Sequence, residues 1–124
     1  MRYRYQGIRL LVFQDLRPWG RYEVLQEGGT YKVKSIHLAP GKRISYQRHE
    51  KRSEHWYITD GSGEVTIDGK VEQVSRGSII EVPQGCLHRI SNTGNSELIF
   101  IEVQTGTYFG EDDIERVEDD YGRN

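Results

Sequence analysis

The chain has 124 residues, with seventeen Lys and Arg against nineteen Asp and Glu, so its formal charge of -2 offers no global attraction to nucleic acid or to an anionic membrane. That length suits one compact domain around a single hydrophobic core. The longest apolar runs, Leu10 to Phe13 and Leu98 to Ile101, hold four residues each, far short of the roughly 20 that a membrane helix needs.

The start, Met1-Arg2-Tyr3-Arg4, is basic but lacks the apolar stretch of a secretory signal, and the single Cys86 has no partner for an internal disulfide. A cytoplasmic protein is therefore expected. Apolar and polar residues then alternate over 21–26, 31–38, 44–49, 54–59, 64–67, 78–82, 87–91 and 98–104. Such short segments, about 8 to 12 residues apart, predict an all-β sandwich or barrel. Gly, Pro, Asp and Asn punctuate them, and Thr66 to Val71, centred on Asp68-Gly69, predicts a two-residue hairpin. The last fourteen residues, Glu111 to Asn124, hold seven acids and two arginines with almost no alternation. Composition alone predicts a solvated tail there, with one short helix over 112–117.

Two segments carry polar side chains on one face. Strand alternation puts Arg43, Ser45, Gln47 and His49 on one side and Ile44 and Tyr46 on the other, and after the reversal Glu50 to Ser53 the next strand brings Glu54 back beside them. Further on, Pro83-Gln84-Gly85 is a turn that aims the strand carrying His88, with Asn92 on the same face. Gln47, His49, Glu54 and His88 together offer two imidazoles, a carboxylate and an amide oxygen. That set suits one divalent first-row metal, Zn, Mn, Fe, Co or Ni, with Zn expected first. Two His and one carboxylate also leave positions free for water or substrate. Gln47 would be a neutral and weaker ligand than imidazole.

These spacings resemble the two cupin motifs, with Gln47 at the first position of the usual His-x-His pair. The resemblance narrows with Arg17-Pro18-Trp19-Gly20, the run Gln47 to Trp56, Val82 to Arg89, Ile101 to Gly106 and the tail from Phe109 to Arg123. All of these look like the type II mannose-6-phosphate isomerase family. The resemblance implies a single cupin domain over 1–124, a jelly-roll or double-stranded β-helix. It would have an N-terminal strand segment over 1–20, a barrel over 21–106 and an acidic tail over 107–124 packed back on the barrel. In that family the cupin is commonly the C-terminal part of a chain that also makes GDP-mannose. With 124 residues there is no room for a nucleotidyltransferase domain, so an isomerase standing alone is expected.

The implied reaction interconverts mannose 6-phosphate and fructose 6-phosphate through ring opening, proton transfer between C2 and C1, and an enediolate. It calls for a Lewis acid and for cationic donors to the phosphate. Arg52 and Glu54 are the expected catalytic residues, since the family's Arg two residues before this Glu is implicated in catalysis. For substrate binding, Arg43 and Ser45 share the parity of Gln47 and His49, followed by Lys34 and Arg89. A metal-bound hydroxide, Glu54 or a neighbouring lysine would each serve as proton carrier. Glu102 and Gln104 share a face and could enter the lumen. His37 and His55 fall out of phase and read as surface or hydrogen-bonded residues, Trp19 and Trp56 as packing, and Cys86 as a small buried hydrophobe. Two other functions use the same residues: a non-catalytic sugar-phosphate-binding and dimerisation module, and a non-haem iron oxygenase. Exposed strand edges and the Leu10 to Phe13 run predict a homodimer.

Overall fold

The computed structural model of the chain describes residues 13–123. Most of the run Leu10 to Phe13 and of the expected 1–20 strand segment lies outside the described residues. All regular structure among the described residues is strand: β1 (Phe13–Arg17), β2 (Gly20–Glu27), β3 (Tyr31–Leu38), β4 (Tyr46–Arg48), β5 (Arg52–Asp60), β6 (Ser62–Ile67), β7 (Lys70–Ser75), β8 (Ile79–Val82), β9 (His88–Asn92), β10 (Leu98–Gly106) and β11 (Glu115–Glu118). They make two sheets, ordered β1-β2-β3-β10-β5-β8 and β11-β4-β9-β6-β7, in which every pairing is antiparallel. The core between them joins Ile36, Leu38, Trp56, Ile58 and Phe100 of the first sheet to Val65, Val74 and Ile90 of the second.

The inner face changes character along its length. On β5, Ile58 and Trp56 are buried at one end and Glu54 and Arg52 at the other, while His55 and Tyr57 point to solvent. On β10 the buried series runs Leu98, Phe100, Glu102, Gln104. The register sets Phe100 opposite Ile58, hydrocarbon against hydrocarbon, Glu102 opposite Trp56 at the boundary, and Gln104 opposite Glu54, amide against carboxylate. One end of the sandwich is thus a conventional core. The other holds buried ionisable groups, which are costly unless paired and therefore mark a site with work to do.

The hairpin at Asp68-Gly69 forms as expected, with φ of 46° and 83° at its two central residues and Ile67 paired to Lys70. β7 carries the second arm of that hairpin on to Ser75, although it buries only Val74. One element differs from expectation. Residues 115–118 form a strand where composition predicts a helix, with Glu115 opposite Arg48 and Arg116 opposite Gln47. A helix of one or two turns is marginal on its own, whereas the free edge of β4 supplies ladder hydrogen bonds.

Candidate metal centre

Gln47 of β4 sits opposite His88, the first residue of β9, and His49 follows β4 directly. Glu54 reaches the same place from β5, in the other sheet. One ligand atom from each of His49, Glu54 and His88 lies within 4.8 Å of the others, and all three residues are buried. Glu54 Oε2 is 3.3 Å from His49 Nε2, and Glu54 Oε1 is 3.9 Å from His88 Nε2. The other ring nitrogens are tethered to backbone: His49 Nδ1 lies 2.6 Å from the Asp113 carbonyl oxygen and His88 Nδ1 3.0 Å from that of Cys86. A carbonyl only accepts, so each Nδ1 carries the proton and each Nε2 turns a lone pair toward Glu54. His88 Nε2 is buried and has no hydrogen-bond partner. Two neutral imidazole nitrogens and a carboxylate oxygen fit a divalent first-row ion with coordination positions to spare.

The protonation states agree with that fit. Burial pushes the Glu54 carboxyl up, but His88, Arg52 and His49 and the Trp56 indole N–H outweigh it and hold the group at about 2. Trp56 Nε1 donates to Oε1 at 3.0 Å and Arg52 Nε to Oε2 at 2.9 Å. Burial drives His49 down to about 4 against the pull of Glu54. At neutral pH the carboxylate is charged and His49 is neutral, the forms in which both ligate metals. Arg52 also places Nη2 3.3 Å from His49 Nε2, while its buried Nη1 has no partner. An ion held by His49 and Glu54 would take over both of those contacts and free the guanidinium fork.

Several residues singled out in the sequence converge here, and others do not. Gln47 reaches the cluster, with Nε2 3.4 Å from His49 Nε2, but its Oε1 accepts a hydrogen bond from Ser45 Oγ. Ligation through that oxygen requires the amide to rotate. Ser45 is buried behind Gln47, outside the cavity lining. Lys34 is buried in the cavity, its Nζ 2.6 Å from Glu111 Oε2 and over the Tyr22 ring. Arg43 lies outside, in a salt bridge of 2.8 Å with Asp120. The reason is a bulge: Arg43 bridges to Ser91 and Gln47 pairs with His88, so four steps along one strand oppose three along the other and parity inverts between them. Arg89 is also outside the cavity and is buried, its Nε donating to the Ile44 carbonyl at 2.9 Å and Nη1 to Glu118 at 3.2 Å, where it fastens the tail. His37 bonds to Ser35, and exposed His55 to Glu81. Trp19 and Trp56 belong to the core and also line the cavity. Cys86 is half-buried, not buried, and contributes its carbonyl to His88.

An open cavity of about 570 Å³, its mouth included, reaches the cluster through Gln47 and Glu54. Its walls add residues to which the sequence assigned no role at the site: Arg17, Glu111, Arg116 and Arg123. Asp113, outside the lining, also supports the site: its carboxylate accepts from the backbone N–H of Glu50 and Lys51, both at 3.0 Å, and fixes the turn that carries His49. Glu102 also lines the cavity and accepts a hydrogen bond from Gln104 Nε2. Burial, with Glu54 nearby, pushes its carboxyl up to about 8 against the opposing pull of Lys34 and Arg52. The folded chain then keeps a proton that the unfolded chain has lost, so this group's stabilising contribution is present below 4.5 and disappears as pH rises through about 8. From about one unit above 6.5, where His49 is almost wholly neutral in both the folded and the unfolded chain, the metal-free protein is expected to lose thermal stability toward pH 8. Melting curves of wild type and Glu102→Gln check this: the variant flattens the slope, and equal slopes would refute the placement of Glu102.

Comparison with known proteins places this geometry. Residues 10–119 match the family described as Mannose-6-phosphate isomerase C-terminal. The chain belongs to that family. It is 46% identical over 107 residues to the alginate biosynthesis protein AlgA of Pseudomonas aeruginosa, covering 86% of this chain and 22% of that protein. It is 44% identical over 108 residues to a mannose-1-phosphate guanylyltransferase of Salmonella montevideo, covering 87% of this chain and 23% of that protein. This mannose-6-phosphate isomerase C-terminal domain therefore spans between a fifth and a quarter of the length of those curated relatives. Among solved structures, a cupin-2 domain from Rhodospirillum rubrum superposes with a TM-score of 0.69 at 18% identity, covering 91% of this chain and 82% of that one. The likeness speaks for the fold alone, and that fold is the cupin.

Proposed function

We propose that this domain is an aldose-ketose isomerase interconverting mannose 6-phosphate and fructose 6-phosphate. It would use one divalent ion, Zn ahead of Mn, Fe, Co and Ni, held by His49, Glu54 and His88, with Gln47 as a weaker fourth donor after rotation of its amide. What carries the reading is the convergence of those three ligand atoms within 4.8 Å beside a cavity that also presents Lys34 and Arg52. Membership of the family supports the substrate class. When bound, the ion supplies Lewis acidity that polarises the carbonyl of the opened sugar.

The chain's own residues do the rest. Arg52, once freed from His49 and Glu54, directs its fork at the oxygen on which negative charge develops. Glu102 moves the carbon-bound proton: the fraction present as carboxylate takes it from C2 and the resulting acid returns it to C1, while the hydroxyl proton on O2 passes to O1. Burial holds its carboxyl above the usual carboxylate range, toward the pH at which a proton carrier works. Trp56 keeps Glu54 oriented through its 3.0 Å bond to Oε1. A coupled assay following fructose 6-phosphate formed from mannose 6-phosphate tests the reading. Turnover is expected with added Zn, Mn or Co and is lost on treatment with EDTA. Absence of turnover with every first-row metal would overturn the reaction and leave a binding module.

A further inference from the structure

The mouth of the cavity carries three guanidinium groups that the metal cluster does not use. Arg17 comes from β1, Arg116 from β11 and Arg123 from the turn after it, and all three line the same opening. Arg17 is held by Asp15 at 2.8 Å, and Arg123 by Asp119 at 2.8 and 2.9 Å. Arg116 differs. Among the described residues it makes no ion pair, and its buried Nε has no hydrogen-bond partner. It stands opposite Gln47 in the β11–β4 pairing, and cross-strand partners share a sheet face. Gln47 in turn touches His49 at 3.4 Å, so a single side chain separates Arg116 from the metal cluster.

Burial opposes the charge on Arg116, the neighbouring Arg123 and Arg17 oppose it further, and the pull of Asp119 and Glu111 offsets this only in part. A guanidinium stays protonated regardless, so three cations line one cavity, two of them held by Asp15 and Asp119 and the third unpaired. Such an arrangement is costly by itself and is relieved by an anion that all three can share. A planar fork of N–H donors matches the oxygens of a phosphate monoester. Lys34 is a point charge held by Glu111 at 2.6 Å and lacks the fork of the arginines, two of which are likewise held by carboxylates.

We propose that Arg116, flanked by Arg17 and Arg123, binds the phosphate dianion of the substrate while the carbonyl end lies toward His49, Glu54 and His88. The assignment rests on the sugar-phosphate reading of this cavity and moves the phosphate contact to the tail and β1, away from Arg43 and Arg89.

Two measurements separate anion binding from chemistry: calorimetric titration of inorganic phosphate into EDTA-treated protein, and mannose 6-phosphate kinetics on the metal-loaded protein. Arg116→Gln is expected to weaken phosphate binding and raise KM by about tenfold or more, with metal content unchanged and a smaller change in kcat. Arg123→Gln, outside the strand pairing, is expected to shift both by about threefold, and its values decide the matter if Arg116→Gln does not fold. Wild type that binds phosphate through Arg116 yet turns over no sugar phosphate keeps the anion site and overturns the isomerase reading. Turnover with KM and phosphate affinity of the folded variants within about twofold of wild type overturns the anion site and leaves the isomerase standing. Wild type that binds no phosphate at millimolar concentration also overturns the anion site.

Discussion

His88→Ala is expected to leave a folded chain that no longer retains a divalent ion and has no measurable turnover. Its Nε2 is one of three converging ligand atoms, buried and without any hydrogen-bond partner, and among the described residues the only other donor beside the three is the weaker Gln47 amide. Removing a partner that merely orients a ligand costs roughly 10- to 100-fold in metal affinity, and removing the ligand itself is expected to exceed that. The ring also packs edge-on against Trp56 at 5.8 Å, so a modest loss of stability accompanies the change. The readout that separates the two effects is the response to metal: added Zn raises the melting temperature of wild type by mass action and leaves that of the variant where it was. Metal retained at wild-type stoichiometry in His88→Ala would contradict the ligand set.

Arg52→Ala is expected to keep the metal and lose turnover by roughly 10²- to 10³-fold, the usual cost of deleting a donor to a developing oxyanion. It also changes stability in a metal-dependent way. Arg52 and Glu54 form a buried pair, with side chains 4% and 2% exposed. Breaking such a pair from one side costs about 3–5 kcal/mol, because the remaining charge has no counterpart. In the metal-free variant Glu54 bears that cost in full. In the loaded variant the cation stands beside the carboxylate and offsets it. The melting-temperature gap between wild type and Arg52→Ala should therefore be wide with EDTA and narrow with metal. A gap of equal width in both conditions would show that Arg52 does not share Glu54 with the ion.

How far the sequence could be read follows from how local each determinant is. Tyr31 to Leu38 was expected as a strand and is β3, because its apolar residues recur within the one segment, although they change phase between Val33 and Ile36. Gln47, His49 and Glu54 were legible for the same reason: two strands and a short reversal keep their relative placement within a few residues. The link to His88 depended on a turn just before its own strand. Arg43 was misplaced because a single extra residue between it and Gln47 inverts the facing of the chain, and nothing in the residue types announces that insertion. Glu102 was partly visible, as a carboxylate in phase with buried Phe100 on β10. The tail was the least legible. Its contact with the site is long-range, with Asp113 touching His49 across 64 residues. Its secondary structure is decided by the free edge of β4, not by its own composition. Arg116 entered the cavity with it, unseen from the sequence.

The central claim is that His49, Glu54 and His88 bind one ion together. The most direct measurement is elemental analysis of the chain after removal of metal with EDTA, reloading with Zn and exhaustive dialysis. One equivalent of Zn retained per chain is the expected result, and a substoichiometric trace that is no greater than in a chain lacking His49 and His88 would contradict the account.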